Sequence, residues 1–209
     1  MKFKVFFLFI FISNLIYSQD KIFPVAANGD IEFSEVIEIS NTKNILYANA
    51  KEWVAKTFGD YKEVIQFEDA NDGKLIMKGK SDVSSESSGS NKSLSFTITI
   101  ECKDKKYRYR INDILVHQTI MFAGTPIHPV PSSPLQHLES KKSFEKEKES
   151  LLSKDVSRMK KKALMEHQDK ITILENSIKN EQYEYDKEYD AVNAIINSLK
   201  YAMSQNNEF

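Results

Sequence analysis

Between Ile31 and Val116 the chain reads as strand and turn, with one exception. Lys43–Phe58, KNILYANAKEWVAKTF, has helical spacing. A sheet built from this stretch has one helix to cover it, and that limits the architecture more than any other feature. Leu46, Ala50, Trp53, Val54 and Thr57 fall on one face of the helix, and Tyr47, Asn49, Lys51 and Lys56 fall largely outside it. Trp53, the only tryptophan, is expected as a core anchor. Asn41 or Thr42 can cap the start. Gly59 stands just past the last periodic residue, where a left-handed residue usually ends a helix.

Around this helix the strands follow from alternation. In Ile31–Ile39, Ile31, Phe33, Ile37 and Ile39 share one face. Lys62–Glu68 and Lys74–Val83 are joined by Asn71-Asp72-Gly73, a hairpin signal. Ser84–Lys92 is a polar connector whose serines reflect loop composition. Ser93–Cys102 and Lys106–Val116 close the series. If Asp104-Lys105 is a two-residue turn, Lys103 opposes Lys106, Cys102 opposes Tyr107, Ile100 opposes Tyr109 and Ile98 opposes Ile111. That register puts both apolar sets on one face and sets Glu101 against Arg108 on the other. The expectation is an α+β layer: a mainly antiparallel sheet of about five strands under one helix.

The first residues point to export. Lys2 and Lys4 precede an apolar run from Val5 to Ile12 that continues to Tyr17, too short to span a membrane, where about 20 residues are needed. Ser18 suits cleavage, placing a signal peptide over residues 1–18 and the mature start at Gln19; an uncleaved anchor is the alternative. The destination is the periplasm or the exterior. The only cysteine, Cys102, lies far from the signal, so a lipoprotein is not expected and no intramolecular disulfide can form. Cys102 itself reads as a buried strand residue.

Several short stretches, in order, resemble one family. They are Phe23-Pro24, Asn28-Gly29, Phe33-Ser34-Glu35-Val36, Leu46-Tyr47, Trp53, Lys103 to Tyr109, and Asn112-Asp113-Ile114. The family is that of small exported Bacteroidetes proteins of unknown function with a TATA-binding-protein-like (TBP-like) fold, and the resemblance spans about residues 23–116. It implies that fold and brings no catalytic residues. The chain departs from the pattern at Lys105, where a turn glycine is expected, and in the Ser-rich insert 84–92. Residues 20–134 hold 14 Lys and Arg against 16 Asp and Glu, so nucleic acid is not expected as a partner despite the fold name.

Four of the five prolines, Pro126 to Pro134, mark a linker at 123–137 between a TBP-like domain at 19–122 and a helical tail at 138–209. Leu135–Phe209 holds neither glycine nor proline. Ile171, Ile178, Tyr185, Val192 and Leu199 form a heptad seam, interrupted where Glu181 and Glu188 replace apolar residues. Leu152, Val156, Met159 and Ala163 run in another register, which implies a stutter near Leu164–Ile171. One helix over 144–206 would be about 95 Å long with a wet seam, so it must fold back or pair. Lys141–Lys162 carries 9 basic and 4 acidic residues, and Ala163–Asp190 carries 3 and 8, which favours an antiparallel hairpin or coiled coil, within one chain or between two.

No HExxH, phosphate loop, Cys-x-x-Cys or Ser/His/Asp set is present, and no catalytic or cofactor residue can be nominated. His117, His128 and His137 cluster near the prolines without ligand spacing, so no metal site is expected. Lys103, Lys105, Lys106, Arg108 and Arg110 are the densest basic cluster: a solvated hairpin tip that resists aggregation, or a patch for an anionic ligand. The expected function is a non-enzymatic exported binding module with a tail for self-association or docking to a protein partner, and no integral membrane span after signal cleavage. The alternatives are an enzyme or subunit acting on an envelope polymer, and a membrane-peripheral protein using the basic helical segment.

Overall fold

A computed structural model describes residues 21–83 and 90–205. The expected signal peptide and most of the Ser-rich connector lie outside these residues. In chain order the elements are β1 (Phe33–Glu38), α1 (Lys43–Phe58), α2 (Tyr61–Val64), β2 (Ile65–Asp69), β3 (Lys74–Val83), β4 (Ser90–Lys103), β5 (Lys106–Phe122), β6 (Thr125–Ile127), α3 (Leu135–Leu152) and α4 (Lys161–Met203). The strands form one antiparallel sheet in the order β1-β5-β4-β3-β2, with β6 returning on β5.

The β4–β5 hairpin has the register that burial demands. Cys102 pairs with Tyr107, Glu101 with Arg108, Ile100 with Tyr109 and Ile98 with Ile111. Lys105 takes φ 62° in the turn, the conformation a glycine would hold without strain. Further along β5 the register shifts opposite Ser95–Thr97, and Asp113 takes φ 53°. This bulge changes the phase: Tyr107, Tyr109 and Ile111 point inward before it, Ile114 and Val116 after it.

α1 has the expected limits, with Thr42 Oγ1 accepting the Ile45 N–H and Gly59 closing it at φ 76°. A second cap comes from the β4–β5 turn, where Asp104 Oδ1 accepts the Lys43 N–H at 2.8 Å. Leu46, Ala50, Trp53 and Val54 are buried, but Thr57 is exposed and Asn49 is buried instead. The Asn49 amide reaches the chain just past the end of α4, where its Nδ2 donates to Gln205 O at 2.8 Å. The expected strand at 62–68 begins only at Ile65, because Asp60 caps a single helical turn ahead of it.

The expectation of one covering helix is corrected. Tyr185, Val192, Ile195, Ile196, Leu199 and Met203 of α4 join the same core as the sheet and α1. The tail therefore does not stand apart over 138–209: its second half is the second covering helix. The proline segment is not a free linker either. Thr125–Ile127 pairs with β5, and Val116 and Ser132 exchange two backbone hydrogen bonds of 2.8 and 3.1 Å. Ser90–Lys92, expected in the connector, belongs to β4.

α3 and the first half of α4 form an antiparallel hairpin within the chain. Lys148 pairs with Glu175, and Lys170 with Glu147, each at 2.8 Å. The expected stutter is instead a chain reversal at residues 153–160. No helix among the described residues is long and apolar enough to cross a membrane.

Candidate functional site

α1 and the second half of α4 lie on one side of the sheet, and among the described residues no helix covers its other face. Alternation sends Leu94, Phe96, Ile98, Ile100 and Cys102 of β4 into the core, and Ser95, Thr97, Thr99 and Glu101 to the open face. Beside this row stand Lys74, Lys78 and Lys80 of β3 and Arg108 and Arg110 of β5. The open face is thus polar at its centre and basic at its flanks.

The basic cluster expected from sequence lies at one end of this face. Lys103 pairs with Lys106 across the hairpin. Together with Val36, Glu101, Tyr107 and Arg108 they line a shallow depression of about 220 Å³. Arg108 Nε donates to Glu101 Oε2 at 2.7 Å, and Arg110 sits 3.5 Å from Glu32. Lys105 is separated from the depression by its place in the turn; its N–H donates to Asn41 O at 2.9 Å. Three of the five residues, Lys103, Lys106 and Arg108, therefore converge. Lys103 and Lys106 have no carboxylate within ion-pair distance among the described residues, and exposed pairs such as Arg108–Glu101 bind weakly, about 0–1 kcal/mol. The depression keeps net positive charge for an anion. Cys102, beneath it, is 1% exposed, and burial pushes its thiol pKa up to about 12, so it stays a thiol at physiological pH.

A second polar cluster, not anticipated as a unit, lies where α3 and α4 meet β4. Lys92 Nζ is 2.7 Å from Glu184 Oε2 and 3.3 Å from Glu188 Oε1. His137 contacts Glu181 Oε2 through Nδ1 at 2.5 Å and Glu188 Oε1 through Nε2 at 3.1 Å. Glu188 is fully buried, and its Oε2 has no hydrogen-bond partner among the described residues. Burial pulls the imidazole pKa down, but hydrogen bonds to Glu188 and Glu181 outweigh it and hold His137 above its ordinary value. The groups are bonded to one another as in a structural ion-pair network, although three carboxylates face two cations and Glu188 Oε2 is left over. The other two histidines of the proline region are elsewhere: His117 Nε2 meets Ser95 Oγ at 2.7 Å, and His128 Nδ1 meets Thr119 Oγ1 at 3.1 Å. The only sequence signal for the second cluster was the pair of glutamates interrupting the heptad seam.

With this geometry in place, comparison with known proteins is informative. Residues 33–117 match the domain of unknown function (DUF4468) with TBP-like fold. The match falls on the segment running from β1 into β5, which carries the open face. Solved structures similar in fold include two from Bacteroidetes organisms. One is a TBP-like protein from Parabacteroides distasonis ATCC 8503, at 13% identity and a TM-score of 0.53, covering 86% of this chain and 96% of that one. The other is a DUF4468 family protein from Bacteroides ovatus ATCC 8483, at 14% identity and a TM-score of 0.52, covering 90% of this chain and 93% of that one. No curated protein matches. The likenesses extend beyond the DUF4468 segment into the helical region. The chain thus has an α+β, TBP-like fold and resembles a family of unknown function.

Proposed function

We propose that this is an exported, non-enzymatic binding protein whose open sheet face takes an anionic ligand. The observation that carries the proposal is the convergence of Lys103, Lys106 and Arg108 around one depression on the face the helices leave uncovered. Export rests on the basic and apolar pattern of the first 18 residues. The helical segment's seam is largely spent on its own core, so self-association through that seam loses its motive; a docking role falls to the free α3–α4 hairpin. The His137–Glu188 cluster is the one feature that favours an enzyme. Its carboxylates and imidazole are, however, already bonded to one another and to Lys92.

Isothermal titration of the purified protein with dextran sulfate tests the binding role. Binding that weakens with salt and falls at least tenfold in K103Q/K106Q/R108Q supports it. Unchanged binding in that variant, or none in the parent protein, refutes it. Amino-terminal sequencing of protein recovered from fractionated cells tests export, with Gln19 the expected first residue.

A further inference from the structure

The α3–α4 hairpin continues well past the sheet. Tyr185 is the first residue of α4 in the sheet's core, and Lys161 begins the helix, so the arm reaches about 35 Å outward at 1.5 Å per residue. Its far end is unlike the rest of the molecule. From Leu152 to Lys162 every residue is exposed except Met159. This stretch holds five cations, Lys154, Arg158, Lys160, Lys161 and Lys162, and one carboxylate, Asp155. Asp155 is engaged locally, its Oδ1 accepting the Ser157 N–H at 2.9 Å. Among the described residues, Lys162 alone of these cations has a carboxylate within ion-pair distance, Glu166 at 3.8 Å, and both side chains are exposed.

Large apolar side chains share this end: Leu152 is 59% exposed, Met165 55% and Val156 37%. The chain reversal at 153–160 matters here. Were Lys160, Lys161 and Lys162 in the middle of a helix, they would point around it and could not face one surface together. Here Lys160 is the residue before the helix and Lys161 and Lys162 open its first turn, so the end of the arm as a whole, rather than one helix face, carries them. The stretch is exposed at every residue but Met159, which suits a broad surface without fixed shape. Cations interspersed with apolar side chains are the composition that enters the headgroup region of an anionic bilayer.

We propose that the tip of the α3–α4 arm docks onto an anionic lipid surface, with the five cations at the headgroups and Leu152, Val156 and Met165 in the acyl boundary. This surface is distinct from the open sheet face and stands whether or not that face binds an anion.

Co-sedimentation of the purified protein with vesicles tests it. Vesicles of phosphatidylcholine containing phosphatidylglycerol should pellet the protein at 50 mM salt, with much less at 500 mM; pure phosphatidylcholine vesicles should not. Each cation near an anionic surface contributes about fivefold in partitioning, so K160Q/K161Q/K162Q should bind roughly a hundredfold more weakly. L152S/M165S should weaken binding by about tenfold while leaving the salt dependence in place. K103Q/K106Q/R108Q should bind vesicles as the parent does, which separates this test from that of the sheet face. Trp53 emission confirms that each variant is folded. Absent binding to the anionic vesicles, equal binding to both kinds, or loss in the sheet-face variant with retention in the tip variants overturns the proposal. So does a vesicle-free, concentration-dependent rise in solution mass that the lysine variant abolishes, since the tip would then take a second copy of this chain.

Discussion

Replacing Lys92 by Met tests the energetics of the buried cluster directly. The Lys92 side chain is 9% exposed, and its ammonium is shared by Glu184 at 2.7 Å and the fully buried Glu188 at 3.3 Å. At an effective dielectric of 20, unit charges 3.3 Å apart attract by roughly 5 kcal/mol. Desolvation offsets much of this in the intact pair. Deleting one partner of a buried pair, however, costs about 3–5 kcal/mol, and in Lys92→Met it leaves the buried Glu188 with His137 as its one remaining cationic partner among the described residues. Glu184 is a quarter exposed and adds little. Lys92→Met should therefore lower stability by about 3–5 kcal/mol, whereas K92M/E188L, which removes both charges, should lie within about 1 kcal/mol of the parent. Urea unfolding followed by Trp53 emission is the assay; Trp53 is buried against α4, with Nε1 donating to Ser198 Oγ at 3.0 Å. The pH dependence adds a check. His137 has a raised pKa, so its contribution is complete below the unfolded value of about 6.5 and is lost as pH rises through the folded value. In Lys92→Met the imidazolium is the remaining cation on Glu188, so the variant should lose more stability between pH 6 and 9 than the parent. A loss under 1 kcal/mol, a double variant worse than the single one, or a flat pH response would refute the reasoning.

Three further substitutions probe the fold. Lys105→Gly relieves a left-handed residue in the β4–β5 turn at φ 62° and should raise the urea midpoint, by about 1 kcal/mol in stability. Gly79→Ala would place a Cβ 2.5 Å from Phe96 Cε2 and 3.0 Å from Phe58 Cε1, so thermal unfolding should show a loss of about 1–3 kcal/mol. Tyr185→Phe removes the hydroxyl that accepts the Phe23 N–H at 3.0 Å and should cost about 1–3 kcal/mol, with faster amide exchange at Phe23.

Local pattern carried much of this fold. The β4–β5 register was legible because a one-residue slip would have exposed Ile98, Ile100 and Cys102 together, and α1 was legible because its apolar spacing, Thr42 and Gly59 agree. What could not be read depended on distant partners. Asn49 looked like a surface residue until Gln205, 156 positions away, supplied its acceptor. The bulge at Asp113 shifted the β5 alternation without any glycine to announce it. The prolines looked like linker because nothing local shows that Ser132 would bond to Val116. Three of the five basic residues, Lys103, Lys106 and Arg108, converge because strand alternation and a tight turn put them there; Lys105 stands apart because a turn residue belongs to neither face.

The heptad seam gives the fullest case of a correct pattern with an unforeseen meaning. Its apolar positions were real, and Tyr185, Val192 and Leu199 are buried as a seam requires. Seam periodicity says only that a partner exists, and here the partner changes along the helix. Leu174 packs in the hairpin with α3, while Tyr185 to Met203 pack on the sheet. Glu188 falls where the partner changes, beside His137 of α3 and Lys92 of β4. An apolar residue there could pack against either neighbour at many angles. A buried carboxylate bonded to both tolerates far fewer, so the seam defect would fix how the arm leaves the sheet. On this argument the apolar double variant should keep its stability but lose definition in the arm, seen as faster amide exchange across residues 135–150.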